Sequence, residues 1–253
     1  MRTYLLTLGY NGTRYAGWQR QDGFETVQEC MEKAVGVLIG ETVTVHGAGR
    51  TDAGVHAIRQ TAHVRLPRPF EPDELVKALN GNLPRDVAVS GAREVQADFH
   101  ARFSATGKRY AYRFLTSPIR PLFGTGLYHW VKRPLDIDAM RRGASFLRGE
   151  HDFASFASNP GYDRTRGTVR RLDHVHIIHR PHGADLVVQG NGFLYNMVRA
   201  IAGTLQQVGL GKHPPEHVRD VLAAKDRSMA GMTAPPSGLY LVRVLYRREV
   251  LRM

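Results

Sequence analysis

Residues 47–57 read GAGRTDAGVHA, and the fold and the function both turn on that stretch. It carries one carboxylate, Asp52, two residues after Arg50, and Gly47, Gly49 and Gly54 let the chain bend around the pair. A neighbouring guanidinium favours the ionised form of a carboxylate. Two readings fit: a turn or cap aspartate, a role this residue type commonly fills, or a catalytic carboxylate kept charged in a loop that a ligand can approach closely. Spacing alone leaves both open.

Outward from the loop, hydrophobic periodicity marks the neighbouring elements. Before it, Arg2 to Tyr10 has strand character and ends in the turn-like Asn11-Gly12; it reads as a strand rather than a signal peptide. Glu25 to Ile39 has helical spacing, with Val27, Met31, Ala34, Val35 and Leu38 on one side and Gly40 ending it. Thr42 to His46 alternates as a strand. After the loop, Ile58 to Leu66 alternates again, Asp73 to Leu79 is a short helix and Val87 to Val95 a strand. The second half restarts. Strands are expected at Lys108 to Leu115, Val169 to His179, Asp185 to Gln189 and Leu239 to Tyr246, with helices at Asp136 to Leu147 and Phe193 to Val208. Strand and helix order suggests two α+β units, residues 1–105 and 106–253.

Composition narrows the class. The 253 residues include 42% hydrophobic ones, enough for a real core, and no apolar run approaches the length of a bilayer-spanning helix. Cys30 is the only cysteine, which excludes a disulfide framework and points to a reducing, cytoplasmic setting. There are 35 Lys+Arg against 23 Asp+Glu, a net charge of +12, and 29 of the cations are arginine. Genome composition or thermal adaptation explains arginine over lysine, but not the excess over acids. A polyanionic partner explains that excess, and arginine forks grip phosphate pairwise.

Other candidates stand beside Asp52. Tyr110 and Tyr112 share one strand face with Lys108 in GKRYAYRF. They fit either a packed sheet or a base-stacking platform bordered by cations. Arg199, in YNMVRAIAGTLQQVG, points away from the apolar side of its helix, toward Asn196, Ala200 and Gly203. A solvated arginine and a buried ion pair both fit. His46, His56 and His63 match no compact metal-ligand spacing. No phosphate-binding glycine motif or dinucleotide fingerprint is present, and Ser104 and Ser155 lack a nucleophile-elbow context. Neither a metal nor a cofactor is expected.

The loop resembles the signature of the tRNA pseudouridine synthase A (TruA) family, and further matches follow in order along the chain. They are GYNGTRYAGWQRQ (9–21), TVQE (26–29), NGNLP (80–84), FHARFSATGKRYAYRF (99–114), GEHDFASF (149–156), GNGFLYNMVRAIAGTLQQVG (190–209) and GLYLVRV (238–244). Asn11 stands where an aspartate is common, and Gly47 where some members have a cysteine, so a mechanism needing a thiol there cannot operate.

The resemblance implies an α+β pseudouridine synthase fold, with two related subdomains sharing a mainly antiparallel sheet, flanking helices and a central basic cleft. It implies that Asp52 is the catalytic carboxylate, acting as nucleophile or base, and that Arg199 forms an ion pair with it. Tyr110 would stack on the target uracil and Arg50 would assist base flipping and contact phosphate, with Tyr112 structural. The implied reaction converts uridine to pseudouridine on the 3′ side of the tRNA anticodon stem-loop. The implied partners are tRNA, through its anticodon arm and elbow, and a second copy of the chain in a homodimer, with no membrane. A non-catalytic RNA-binding protein would explain the charge and the aromatics, but not an acid in a groove where it repels phosphate. A related synthase with a different RNA target has the same motif residues.

Overall fold

The computed structural model describes residues 1–158 and 167–251. In chain order its first elements are β1 (Arg2–Tyr10), α1 (Val27–Ile39), β2 (His46–Gly47), β3 (His56–Leu66), α2 (Pro72–Asn82) and β4 (Val87–Val95). There follow β5 (Ala105–Thr116), β6 (His129–Val131), α3 (Ile137–Ser145), β7 (Gly149–Asp152), β8 (Val169–Arg180) and β9 (Gly183–Gly190). The last are α4 (Met197–Gly209), α5 (His217–Ala224) and β10 (Leu239–Tyr246). This is the expected α+β class with mostly antiparallel pairing. The chain forms two compact units: Met1–Gly107 together with the segment from Tyr240 onward, and Lys108–Leu239.

In the first unit the strands lie in the order β4-β1-β3-β10, with β2 on β3. β1 is antiparallel to β3 and to β4, Tyr4 lying opposite Val64 on one side and Glu94 on the other. β10 joins β3 in parallel, Tyr240 opposite His56. With neighbours on both edges, β1 is buried on nearly every residue; Tyr4, Leu6 and Leu8 are fully enclosed. The Thr26 hydroxyl accepts from the Glu29 N–H to start α1, and Gly40, at φ 76°, ends it in the left-handed conformation. Val27, Met31, Ala34 and Val35 form its buried stripe.

Glu32 interrupts that stripe yet is only 8% exposed. Its carboxylate accepts from the Gln28 amide (3.0 Å) and the Val45 N–H (3.1 Å), so the buried charge is satisfied. The same bond corrects a sequence expectation. Thr42 to His46 is not a strand, because a side chain takes the Val45 N–H and sheet pairing begins only at His46.

In the second unit the order is β5-β9-β8-β7, antiparallel throughout, with β6 parallel on β5. The Asp136 carboxylate caps α3 by accepting from the Ala139 N–H at 2.8 Å. α3 packs on α4, α5 and β8. Gly143 permits that approach: a Cβ there would lie 3.1 Å from Val218 and 3.2 Å from Leu205. α4 starts at Met197 and not at Phe193. Asn196 sits at φ 60°, which breaks the helical run, and Phe193 instead meets Tyr110 edge-on at 4.9 Å. α5, β6 and β7 have no counterpart in the sequence reading.

Candidate active site

Within the first unit, the loop that carries Asp52 is held from two directions. On the sheet side, the Ala48 N–H donates to the Thr61 carbonyl (2.8 Å). The Gln60 amide, fully buried, donates to the Gly49 carbonyl (2.9 Å). The Thr51 side chain turns inward, where its hydroxyl is 2.8 Å from that of Tyr10. Residues on either side of Thr51 differ in burial: Arg50 is exposed and Asp52 half-buried.

From the other direction the chain between Gly12 and Trp18 closes over the loop. The Trp18 N–H donates to the Thr51 carbonyl (3.0 Å), and the Gly54 N–H to the Tyr15 carbonyl (3.2 Å). Glycines make that approach possible. A Cβ on Gly17, whose φ is +97°, would lie 2.5 Å from the Thr51 carbonyl oxygen; one on Gly12 would overlap the Val55 carbonyl. Gly47 has its own reason, since a Cβ there would lie 2.5 Å from the Trp18 indole. The loop itself closes through the Val55 N–H bond to the Asp52 carbonyl (3.1 Å).

The overlying segment is in turn pinned at its polar ends. Arg14 pairs with Glu25 (2.6 Å) and with Asp86 (3.0 Å), and the Tyr15 hydroxyl donates to Asp86 at 2.6 Å. Burial, with the Asp86 carboxylate adding to it, pushes the Tyr15 phenol well above its ordinary pKa, so it stays a donor. Burial also pushes Tyr10 up to about 12, against the opposing hydrogen bonds from Thr51 and Gln60.

The histidines divide. His56 is buried, its Nδ1 accepting from the Gly12 N–H (3.0 Å) and its ring stacked on Tyr240. His46 and His63 stack at 4.9 Å, joined by His100 at 4.6 Å from His63. His63 Nδ1 accepts from the Ala101 N–H (3.1 Å). Among the described residues no group of three His, Cys, Asp or Glu side chains is arranged to hold a metal ion.

Tyr110 and Arg199 lie in the second unit. Tyr110 is 8% exposed, with its ring against Phe193. Tyr112 is fully buried and donates to the Pro235 carbonyl (2.8 Å). Gly238 makes room for its ring, a Cβ there falling 2.7 Å from it. Burial raises the Tyr112 phenol far above its usual value, and the Arg199 charge opposes that rise.

Arg199 is half-buried, and the small-residue side of α4 explains why. The segment 231–234 packs there: a Cβ on Gly203 would overlap the Met232 carbonyl, and the Gly231 N–H donates to the Thr204 hydroxyl (2.9 Å). Arg199 donates Nε to the Ala234 carbonyl (2.7 Å) and NH1 to the Asn196 side chain (2.9 Å). Its planar fork is therefore oriented before any substrate arrives. The sequence reading missed Tyr10, Trp18 and Gln60 as supports of the loop. Their only local signal was the inward alternation of β1 and the glycines beside Trp18.

A family model described as tRNA pseudouridine synthase matches residues 8–104 and 144–247, and the chain belongs to that family. Relatives named tRNA pseudouridine synthase A resemble it over nearly the full length. The protein from Thermoanaerobacter sp. (strain X514) is 42% identical over 247 residues, covering 97% of this chain and 100% of the relative. That of Pseudomonas aeruginosa is 44% identical, covering 96% and 85%, and that of Limosilactobacillus fermentum 43% identical, covering 97% and 96%.

Proposed function

We propose that this protein isomerises uridine to pseudouridine on the 3′ side of the anticodon stem-loop of tRNA, with Asp52 as the catalytic carboxylate. The observation that carries the reading is the Asp52 loop, fixed before and after the acid by bonds to the Thr51 and Asp52 carbonyls, in a chain of this family. The C1′–N1 bond breaks with its electron pair leaving on the uracil. The base turns over, C5 bonds to C1′, C5 gives up its proton and N1 gains one. Atoms and electrons balance without an external reagent. Attack by Asp52 at C1′, its addition at C6 and its removal of the C2′ proton all require an ionised, positioned carboxylate.

In this reading Arg199 pairs with Asp52 in the reacting complex and keeps it charged. Extruding the nucleotide costs on the order of a few kcal/mol; stacking on Tyr110 returns about 1–3 kcal/mol. Arg50, exposed beside Asp52, fills the space left by the base or holds its phosphate. The net charge of +12 supports contacts along the tRNA toward its elbow, made across a homodimer. No helix is long and apolar enough to cross a membrane among the described residues. In this reading the enzyme works in the cytoplasm, a reducing setting that a single cysteine suits.

Tritium release from tRNA carrying C5-tritiated uridine tests the activity. Wild type releases tritium and Asp52→Asn releases none while binding tRNA within a few-fold; turnover by the variant would contradict the assignment. An isolated anticodon stem-loop is a poor substrate if the elbow contributes, and full activity on it would remove the elbow from the account.

A further inference from the structure

Beside Asp52 in the chain, Thr51 belongs to a buried cluster of neutral polar groups. Tyr10 is 5% exposed, Thr51 7% and Gln60 fully enclosed. Tyr10 and Thr51 share a hydroxyl–hydroxyl bond of 2.8 Å. Gln60 donates to the Gly49 carbonyl (2.9 Å) and accepts from the Thr61 N–H (3.2 Å). The cluster therefore holds residues 49 and 51, the neighbours of Arg50 and, on one side, of Asp52. Thr51 is held again at its carbonyl by the Trp18 N–H.

Resting on the function proposed above, we infer that Tyr10, Thr51 and Gln60 are positioning residues that set where the Asp52 carboxylate stands. A core polar cluster serving stability alone has no need to hold alternate residues of one loop. This one holds Gly49 by its carbonyl and Thr51 by its side chain, while Arg50 between them is exposed. Threonine suits the task because its β-branch limits χ1, so an anchored hydroxyl also fixes the backbone to which it belongs. The buried phenol stays protonated throughout the working pH range, so the cluster adds no charge beside the acid. Misplacing a reacting group by about 1 Å can cost about 100-fold in rate, which is the scale on which such an anchor acts.

The experiment uses single-turnover rates on full-length tRNA, together with tRNA affinity and melting temperature, for Tyr10→Phe, Thr51→Val, Thr51→Ser and the double variant Tyr10→Phe/Thr51→Val. Thr51→Val keeps the shape and removes the hydroxyl; its rate falls about 10- to 100-fold with tRNA affinity within a few-fold. Thr51→Ser recovers most of the rate. The double variant leaves neither hydroxyl orphaned, so its melting temperature returns toward wild type, while its rate stays low. That separation of rate from stability is what a purely structural cluster would not give. If the rate follows the melting temperature and recovers in the double variant, or if Tyr10→Phe and Thr51→Val react as wild type does, the inference is overturned. Wild type without turnover would instead overturn the function on which it rests.

Discussion

The loop around Asp52 and the helix around Arg199 solve one problem with opposite parts. In the proposed function each presents a charged side chain, and at each a second stretch of backbone comes unusually close. At the loop, Gly12 and Gly17 of the segment that closes over residues 51–55 approach backbone, and Gly47 of the loop itself gives way only to a side chain, the Trp18 indole. At the helix, both sides give way, with Gly203 on α4 and Gly231 on the segment against it. The loop acid is held through its own backbone, whereas the arginine is held through its side chain, by the Ala234 carbonyl and Asn196. A short side chain has little freedom beyond its Cα, so fixing backbone suffices. A long one must be gripped near its end.

Four variants and one control break or sharpen this comparison, in falling order of effect. Arg199→Met keeps the stem and removes the charge; turnover falls by about 100- to 1,000-fold, on the scale of lost electrostatic stabilisation, and single-turnover kinetics show it with tRNA affinity little changed. A loss under tenfold would remove Arg199 from the chemistry. Gly17→Ala brings a Cβ against the Thr51 carbonyl and strains a residue at φ +97°, so the rate falls about 10- to 100-fold. Gly23→Ala, at φ +80° but with open space around it, serves as the matched control for backbone strain. Equal losses in the two would show that strain, not displacement of the loop, is responsible.

Gly203→Ala acts mainly on stability, because the helix is rigid and the collision is with the Met232 backbone. Denaturant titration records a loss of about 1–3 kcal/mol; no loss would mean that the segment 231–234 moves aside freely. The smallest effect is in pH. Burial, helped by the charges of His100, His46 and Arg65, depresses His63 to about 4. The unfolded chain then binds more protons than the folded one between about pH 6.5 and 4. This contribution to stability is complete above that window and is lost as pH falls through it. The melting temperature drops by on the order of 5 °C between pH 7 and 5, and His63→Asn flattens that drop. An unchanged slope would assign the acid sensitivity to other groups.

Much of this was legible locally. Arg2 to Tyr10, Val87 to Val95 and Leu239 to Tyr246 are strands within the bounds their sequences imply. Glycines around one acid identified the loop. What local pattern could not carry was the identity of distant partners. The alternation of Thr42 to His46 is real, yet a buried glutamate from α1 claims the amide that a strand would need. A helical wheel places Arg199 on the small-residue side of α4, but it cannot show that residues 231–234 are what covers that side. Likewise Leu239 to Tyr246 reads as a strand, while nothing in it announces that Tyr240 pairs with His56. Thr51, lying between two conspicuous charges, carried no sequence signal of its own, since an anchor is defined by what it touches.

In the proposed function Asp52 carries an isomerisation of tRNA uridine. It is tested most directly by mapping pseudouridine at single-nucleotide resolution in unmodified tRNA treated with wild type or with Asp52→Asn. New pseudouridine is expected on the 3′ side of the anticodon arm with wild type and none with the variant. Conversion by Asp52→Asn, or wild-type conversion confined to another region of the tRNA, would contradict it.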